Sequence, residues 1–116
     1  MGELSTPGAS WADARARALA RLGDAALDRA VGEAVAALRA FRPDGGIFVA
    51  CGFDGLDCDP SSKLRFTPAG YGAAVRKLVE AFPHTPMLAT WEGGYTTERQ
   101  ADAFASVVRA LARERH

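Results

Sequence analysis

The stretch IFVACGFDGLDCDP, residues 47–60, decides the fold class of this chain. Its first five residues form a continuous apolar run of strand length, which is typical of a strand covered on both faces in a parallel sheet. A second run of this kind, MLATW at residues 87–91, follows after one helical pattern. A strand, a helix and a second strand in this order predict a right-handed parallel crossover and therefore an α/β fold.

Four helices are predicted around these two strands. Ser10 is a candidate N-cap for a short first helix that Gly23 breaks, and a second helix follows it. Thr67 and Pro68 are typical of an N-cap and a first helical residue, so a third helix is expected between the strands.

The last helix and the apolar stripes complete this pattern. Thr97 and Gln100 resemble a capping box at the start of the fourth helix. The stripes of the second, third and fourth helices consist of Leu27, Val31, Val35, Leu38 and Phe41, then Tyr71, Val75, Leu78, Val79 and Phe82, then Ala101, Phe104, Val107, Val108 and Leu111. We expect residues 1–9 to be a flexible lead and residues 10–116 to form one partial α/β domain, because two parallel strands alone make a poor sheet.

Composition excludes several classes of function. The chain has 116 residues, of which 48% are hydrophobic, and this suits one packed domain. Its 14 basic and 14 acidic side chains balance, so no global field favours nucleic acid or an anionic membrane as a partner. No apolar run reaches the roughly 20 residues that span a bilayer, and no secretory leader is recognisable. Because no export signal is recognisable, the chain is predicted to be cytoplasmic and its two cysteines are expected to be reduced thiols.

Two side chains that could carry chemistry follow the predicted strands. Asp54 comes after the first strand, and Tyr95 follows Gly93 and Gly94 after the second. Ligands of open α/β sheets gather at the carboxyl ends of the strands, so these residues are candidates for one site. The alternatives are a turn aspartate that caps nearby amides and an ordinary tyrosine after a glycine turn.

These two segments resemble the C-terminal part of zinc-dependent histone deacetylases and acetylpolyamine amidohydrolases. The family pattern small-Gly-Phe-Asp, followed by Asp-Pro, matches residues 51–54 with Asp59-Pro60, and Glu-Gly-Gly-Tyr matches residues 92–95. The resemblance implies a partial arginase/deacetylase-type fold, with a short parallel sheet flanked by helices. It further implies that Asp54 binds the catalytic zinc and that Tyr95 hydrogen-bonds the substrate carbonyl, with Gly93 and Gly94 in substrate binding.

Much of the family's metal site is absent from this sequence. The upstream Asp-x-His and His-His motifs have no counterpart, since His84 and His116 are the only histidines and neither matches a family position. Ser61-Ser62 also replaces the apolar pair that often follows Asp-Pro. Hydrolytic zinc needs about three protein ligands, so zinc is expected only where a complementary segment supplies the others.

Three hypotheses follow from this inventory. The chain could be the C-terminal segment of a deacetylase, inactive alone, that works with a complementary chain. It could instead be a non-catalytic deacetylase-like remnant that binds partners or self-associates through open sheet edges. It could also be an unrelated small-molecule binding domain in which the two loops agree by coincidence.

Overall fold

The order of secondary structure follows the sequence prediction. A computed structural model describes residues 10–60, 62–94 and 97–113. Its elements are α1 (Trp11–Leu22), α2 (Asp24–Phe41), β1 (Ile47–Gly52), α3 (Pro68–Ala81), β2 (Met87–Glu92) and α4 (Thr97–Leu111). The predicted flexible lead at residues 1–9 lies outside the described residues. No helix in the described part of the chain is long and apolar enough to cross a membrane.

Strands β1 and β2 form a parallel two-stranded sheet, as predicted. Ile47 is in register with Met87, and Gly52 is in register with Glu92, so both strands end at the same edge. The expectation that both faces are covered is wrong for the described residues. Burial alternates along β1, and Phe48, at 66% exposure, lies on the uncovered face. The continuous apolar run of β1 therefore includes side chains on a second face that no described element covers.

The core lies between the other face of the sheet and helices α3 and α4. It contains Cys51, Phe53, Leu56, Val75, Val79, Ala103, Val107 and Ala110. Phe53 and Leu56 are the largest fully buried side chains, and both belong to the segment that follows β1. Burial also raises the pKa of the Cys51 thiol, as is typical of a cysteine that acts as a small hydrophobic residue in a core. The loop that carries Asp54 is thus anchored in the best-packed part of the molecule.

Two of the predicted apolar stripes differ from the observed burial. Phe41, at the end of the α2 stripe, is exposed. In α4, Ala103 and Ala110 are buried, whereas the predicted core residues Phe104 and Val108 are exposed. The physical reason is close packing of α3 against α4, which favours small alanines at the contact and turns the larger side chains outward.

Two helix starts are capped as the sequence predicts. Ser10 Oγ accepts a hydrogen bond from the backbone N–H of Asp13 at 3.0 Å. Thr67 Oγ1 accepts one from Gly70 N–H at 3.0 Å, with Pro68 in the first turn of α3. Thr67 is itself held by Asp24 of α2, which accepts hydrogen bonds from its backbone N–H at 2.9 Å and from its hydroxyl. This contact joins the start of α2 to the start of α3.

We expect Asp24→Ala to lower the free energy of unfolding by about 1–3 kcal/mol, because it leaves two partly buried Thr67 donors without their acceptor. Asp28→Ala is the matched control in the same helix. Its ion pair with Lys77 is exposed, so it should cost only about 0–1 kcal/mol. Urea titration followed by circular dichroism measures both variants, and equal losses would contradict this role of Asp24.

Candidate functional site

The loops after β1 and β2 meet at the carboxyl edge of the sheet. The backbone N–H of Phe53 donates to the carbonyl of Gly93 at 3.1 Å, which continues the pairing of the strands by one residue. The side-chain amide of Gln100 donates to the same carbonyl at 3.2 Å. The edge that the sequence predicts as a ligand site is therefore a single, hydrogen-bonded structure in which Asp54 and Gly93 are neighbours.

The Asp54 carboxylate lies directly against Gly93. A Cβ atom placed on Gly93 would be 3.5 Å from Asp54 Cγ and 3.6 Å from each carboxylate oxygen. Gly93 has a φ of 46°, and Gly94 has a φ of 123°, which is a conformation that side-chain-bearing residues rarely adopt. A Cβ on Gly94 would also lie 2.6 Å from Gln100 Nε2. Both glycines are needed for the close approach of the two loops.

The turn that carries Asp54 is held by groups other than its own carboxylate. Gly55 N–H donates to the Tyr71 hydroxyl at 3.1 Å, and Leu56 N–H donates to the Phe53 carbonyl at 3.2 Å. Asp57 N–H donates to the carbonyl of Phe66 at 2.9 Å. These turn amides already have acceptors, so the alternative of a capping aspartate is not supported for them. The Asp54 carboxylate is exposed at the edge of the sheet, and the turn that carries it is held by hydrogen bonds that do not involve this carboxylate.

Tyr71 holds this turn through a ring contact and a hydrogen bond. Its ring packs edge-on against Phe53, with ring centroids 5.1 Å apart, and its hydroxyl accepts the Gly55 hydrogen bond. Burial raises the pKa of Tyr71 to about 12, and the negative charge of Asp54 contributes in the same direction. The phenol is therefore neutral throughout the physiological range.

The raised pKa of Tyr71 predicts a loss of stability in alkali. A tyrosine in the unfolded chain has a pKa of about 10, whereas the folded value is about 12, so folding favours the protonated phenol. This contribution is complete below pH 10 and is lost as the pH rises through about 12. Urea unfolding at increasing pH should show a steeper decline for the native chain than for Tyr71→Phe. The same slope in both chains would contradict the assignment.

An ion pair joins the turn to α4. Arg99 Nη2 lies 2.8 Å from Asp57 Oδ1 and 2.9 Å from Oδ2. The hydrogen bonds to Asp57 and then Cys58 raise the pKa of Arg99. Because Arg99 lies in the first turns of α4, this pair and the Gln100 bond fix the start of that helix beside the Asp54 turn.

The described residues do not make a complete metal site. Within residues 10–60, 62–94 and 97–113, no group of three or more His, Cys, Asp or Glu side chains could hold a metal ion. His84 is exposed in the segment that precedes β2, at the opposite end of the strand from Asp54. Tyr95, the predicted catalytic residue, and His116 both lie outside the described residues. Asp54 therefore supplies one carboxylate where zinc needs about three protein ligands.

Sequence analysis missed two residues that shape the site. Tyr71 was predicted only as part of an apolar stripe, and a tyrosine in place of phenylalanine is the signal that a polar partner is close. Gln100 was predicted only as part of a capping box, whereas its side-chain amide also donates a hydrogen bond to the carbonyl of Gly93. Sequence spacing alone does not reveal this contact between α4 and the loop after β2.

Comparisons with known proteins match most of the described part of the chain. A family model described as the histone deacetylase domain matches residues 13–111. Histone deacetylase 5 of Arabidopsis thaliana is 36% identical over 73 residues, which is 63% of this chain and 11% of that protein. Histone deacetylase 18 of the same plant is 35% identical over 71 residues, which is 61% of this chain and 10% of that protein.

Solved structures give the same result. The HD domain of HDA15 superposes with a TM-score of 0.73 and 30% identity, covering 80% of this chain and 27% of that chain. The histone deacetylase Clr3 superposes with a TM-score of 0.69 and 25% identity, covering 78% of this chain and 15% of that chain. The partial deacetylase-type α/β fold is therefore confirmed, and coincidental agreement of the two loops with an unrelated fold is excluded. The matched part of this chain spans only about a tenth of the length of these two curated relatives.

Proposed function

This chain belongs to the histone deacetylase family, and from that premise we propose that it supplies one part of a composite, zinc-dependent amide hydrolase site. Asp54 provides one metal ligand, and Tyr95 provides a hydrogen-bond donor to the substrate carbonyl. A complementary segment provides the other ligands and the general base. Alone, the 116-residue chain does not hydrolyse acetyl-lysine or a related acylated amine.

The contact of the Asp54 carboxylate with Gly93 is the observation that carries this proposal. Carboxylate oxygens are zinc ligands, and an exposed carboxylate on an independently anchored turn is preorganised to bind a cation. The Phe53–Gly93 hydrogen bond fixes the second loop beside it. Tyr95 follows Gly93 by two residues in the sequence, and we propose that its phenol faces the same edge of the sheet.

The proposed role of Tyr95 follows from the chemistry of acyl transfer. When water adds to an amide carbonyl, negative charge grows on the oxygen, and a positioned donor stabilises that charge. Gly93 and Gly94 take backbone conformations with positive φ, which allow a tight turn directly before Tyr95. We assign these two glycines to the substrate-binding wall of the site.

The described residues do not fit a zinc ion without help, since they offer no cluster of three ligand side chains. Zinc, when bound in the completed site, would polarise the amide and activate water. The missing groups must come from a complementary chain or from further sequence, and the relatives that match this segment are much longer. We propose no nucleic acid or membrane as a direct partner. We also propose a reducing cytoplasmic setting, in which Cys51 and Cys58 do not form a disulfide.

A complementation assay tests the proposed function. The chain is mixed with zinc and with the HD domain of HDA15 from which the segment that this chain matches has been removed, and hydrolysis of an acetyl-lysine peptide is measured. The mixture should be active and each component alone inactive. Tyr95→Phe should reduce the rate by about 10²–10³-fold, because one oxyanion donor is lost. Asp54→Ala should reduce it to the background.

Asp44→Ala is the matched control, because Asp44 is an exposed turn aspartate just before β1 and far from the site edge. It should leave the rate of the mixture unchanged. Activity that survives Asp54→Ala would show that this carboxylate does not hold the metal, and turnover by the isolated chain would contradict the composite site.

A second candidate function is a deacetylase-like module that no longer binds metal. The lack of a three-ligand cluster among the described residues favours it. Calorimetric titration of zinc into the mixture of the chain with the truncated HD domain of HDA15 separates the two candidates. Zinc binding that is tighter with the native chain than with Asp54→Ala would exclude an inert module.

A further inference from the structure

The side chain of Gln100 ties the loop after β2 to the start of α4. Its amide nitrogen Nε2 donates a hydrogen bond to the Gly93 carbonyl at 3.2 Å. The backbone N–H of Phe53 donates to the same oxygen at 3.1 Å, so both lone pairs of this carbonyl have a donor. The loop is therefore held by the segment after β1 and by α4 at one atom.

Gly94, the next residue of this loop, lies close to the same two side chains. A Cβ atom placed on Gly94 would be 2.6 Å from Gln100 Nε2 and 3.1 Å from Phe53 Cβ. Phe53 is 1% exposed and belongs to the core, so its contact with Gly94 is rigid. Gln100 is only half-buried, so its contact with the loop can be changed without opening the core.

The helix that carries Gln100 is itself held by the loop after β1. Arg99, the preceding residue, donates from Nη2 to both carboxylate oxygens of Asp57, at 2.8 and 2.9 Å. Asp57 follows Asp54 by three residues. Adjacent residues of α4 thus contact the loops after both strands, and the start of this helix sets the spacing between the two loops.

We propose that Gln100 is a positioning residue, which holds Tyr95 so that its hydroxyl reaches the substrate carbonyl; this inference rests on the proposed function. Tyr95 follows Gly94 directly, and only Thr96 separates it from α4, so Gln100 closes a short loop that contains the phenol. Small displacements of a group in the site cost much of the rate. A neutral hydrogen bond near the surface adds little net stability, so the loss of this bond should appear in the rate rather than in folding.

A double-mutant cycle tests this role in the mixture of the chain with the truncated HD domain of HDA15. Gln100→Met keeps a long side chain of similar helix propensity but removes the donor. It should lower kcat by about tenfold or more with little change in KM, because Phe53 still holds Gly93. In the Tyr95→Phe background the same change should cost nothing further, since the hydroxyl that Gln100 positions is gone. Arg109→Met in the last turn of α4 is the control and should leave the rate unchanged.

A second measurement follows the loop without relying on activity. Nitrogen-15 relaxation of the full 116-residue chain gives the order parameter of each backbone amide. The values of Gly94 and Tyr95 should fall from about 0.85 in the native chain to below about 0.6 in Gln100→Met, while the value of Asp44 stays the same. Unchanged order parameters, an unchanged kcat, or equal losses in the two backgrounds of the cycle would overturn the positioning role. An active mixture whose rate does not respond to Tyr95→Phe would instead contradict the proposed function on which this role rests.

Discussion

Replacing Phe53 by alanine should strongly destabilise this chain. Phe53 is 1% exposed, and it packs edge-on against Tyr71 and Trp91 with ring centroids 5.1 and 5.9 Å apart. Removing a fully buried phenylalanine costs about 3–5 kcal/mol, which is a large share of the 5–15 kcal/mol that stabilises a typical domain. The loss is severe because Phe53 joins β1, α3 and β2 immediately before Asp54.

Phe48→Ala is the matched control for this prediction. Phe48 lies on the uncovered face of the same strand at 66% exposure, so its loss should change the free energy of unfolding by less than about 1 kcal/mol. Thermal and urea unfolding followed by circular dichroism compare the two variants. Equal losses would show that the core is not where Phe53 lies.

Gly72→Ala should destabilise the chain by about 1–3 kcal/mol, because it overpacks the contact between α3 and α4. A Cβ on Gly72 would meet Ser106 Cβ at 3.1 Å and its carbonyl oxygen at 3.2 Å, and the Ser106 hydroxyl lies closer still. The serine backbone cannot move without shifting α4. The measurement is the midpoint and slope of urea unfolding.

Gly32→Ala provides the control, because it makes the same change inside another helix. A Cβ on Gly32 would meet only Lys77 Nζ, at 3.8 Å, which is the end of a flexible side chain. Alanine is the better helix former, so this variant should gain about 0.5–1 kcal/mol. Effects of the same sign in the two variants would contradict the close packing of α3 on α4.

The sequence predicts the element order and the parallel crossover because hydrophobic periodicity and the residues that begin or end an element are local signals. The apolar runs of β1 and β2, and Thr67 and Pro68 before α3, identify their elements without knowledge of tertiary contacts. The same local signals fail for Phe104 and Val108, because a helical stripe does not say which of its sides another helix will cover. They fail similarly for Phe48, because an apolar run does not say which face of the sheet the described helices will cover.

In the candidate site, too, local features could be predicted from the sequence and tertiary contacts could not. Asp54 could be predicted, because its motif is contiguous and the rule for strand ends places it at the edge of the sheet. The supporting contacts join residues far apart in sequence, such as Tyr71 with Gly55 and Arg99 with Asp57. Contacts of this kind depend on how the helices pack, so spacing in the sequence does not reveal them.

Paramagnetic NMR measures directly whether Asp54 and Tyr95 share one edge of the sheet. Mn²⁺ is titrated into the isotopically labelled chain mixed with the truncated HD domain of HDA15, and the broadening of each backbone amide signal of the labelled chain is followed. The signals of Asp54, Gly93 and Tyr95 should broaden together at the lowest metal concentrations, and Asp54→Ala should abolish this effect while Asp44→Ala preserves it. Broadening around Asp54 that leaves Tyr95 sharp, or broadening that survives Asp54→Ala, would contradict a shared metal-binding edge.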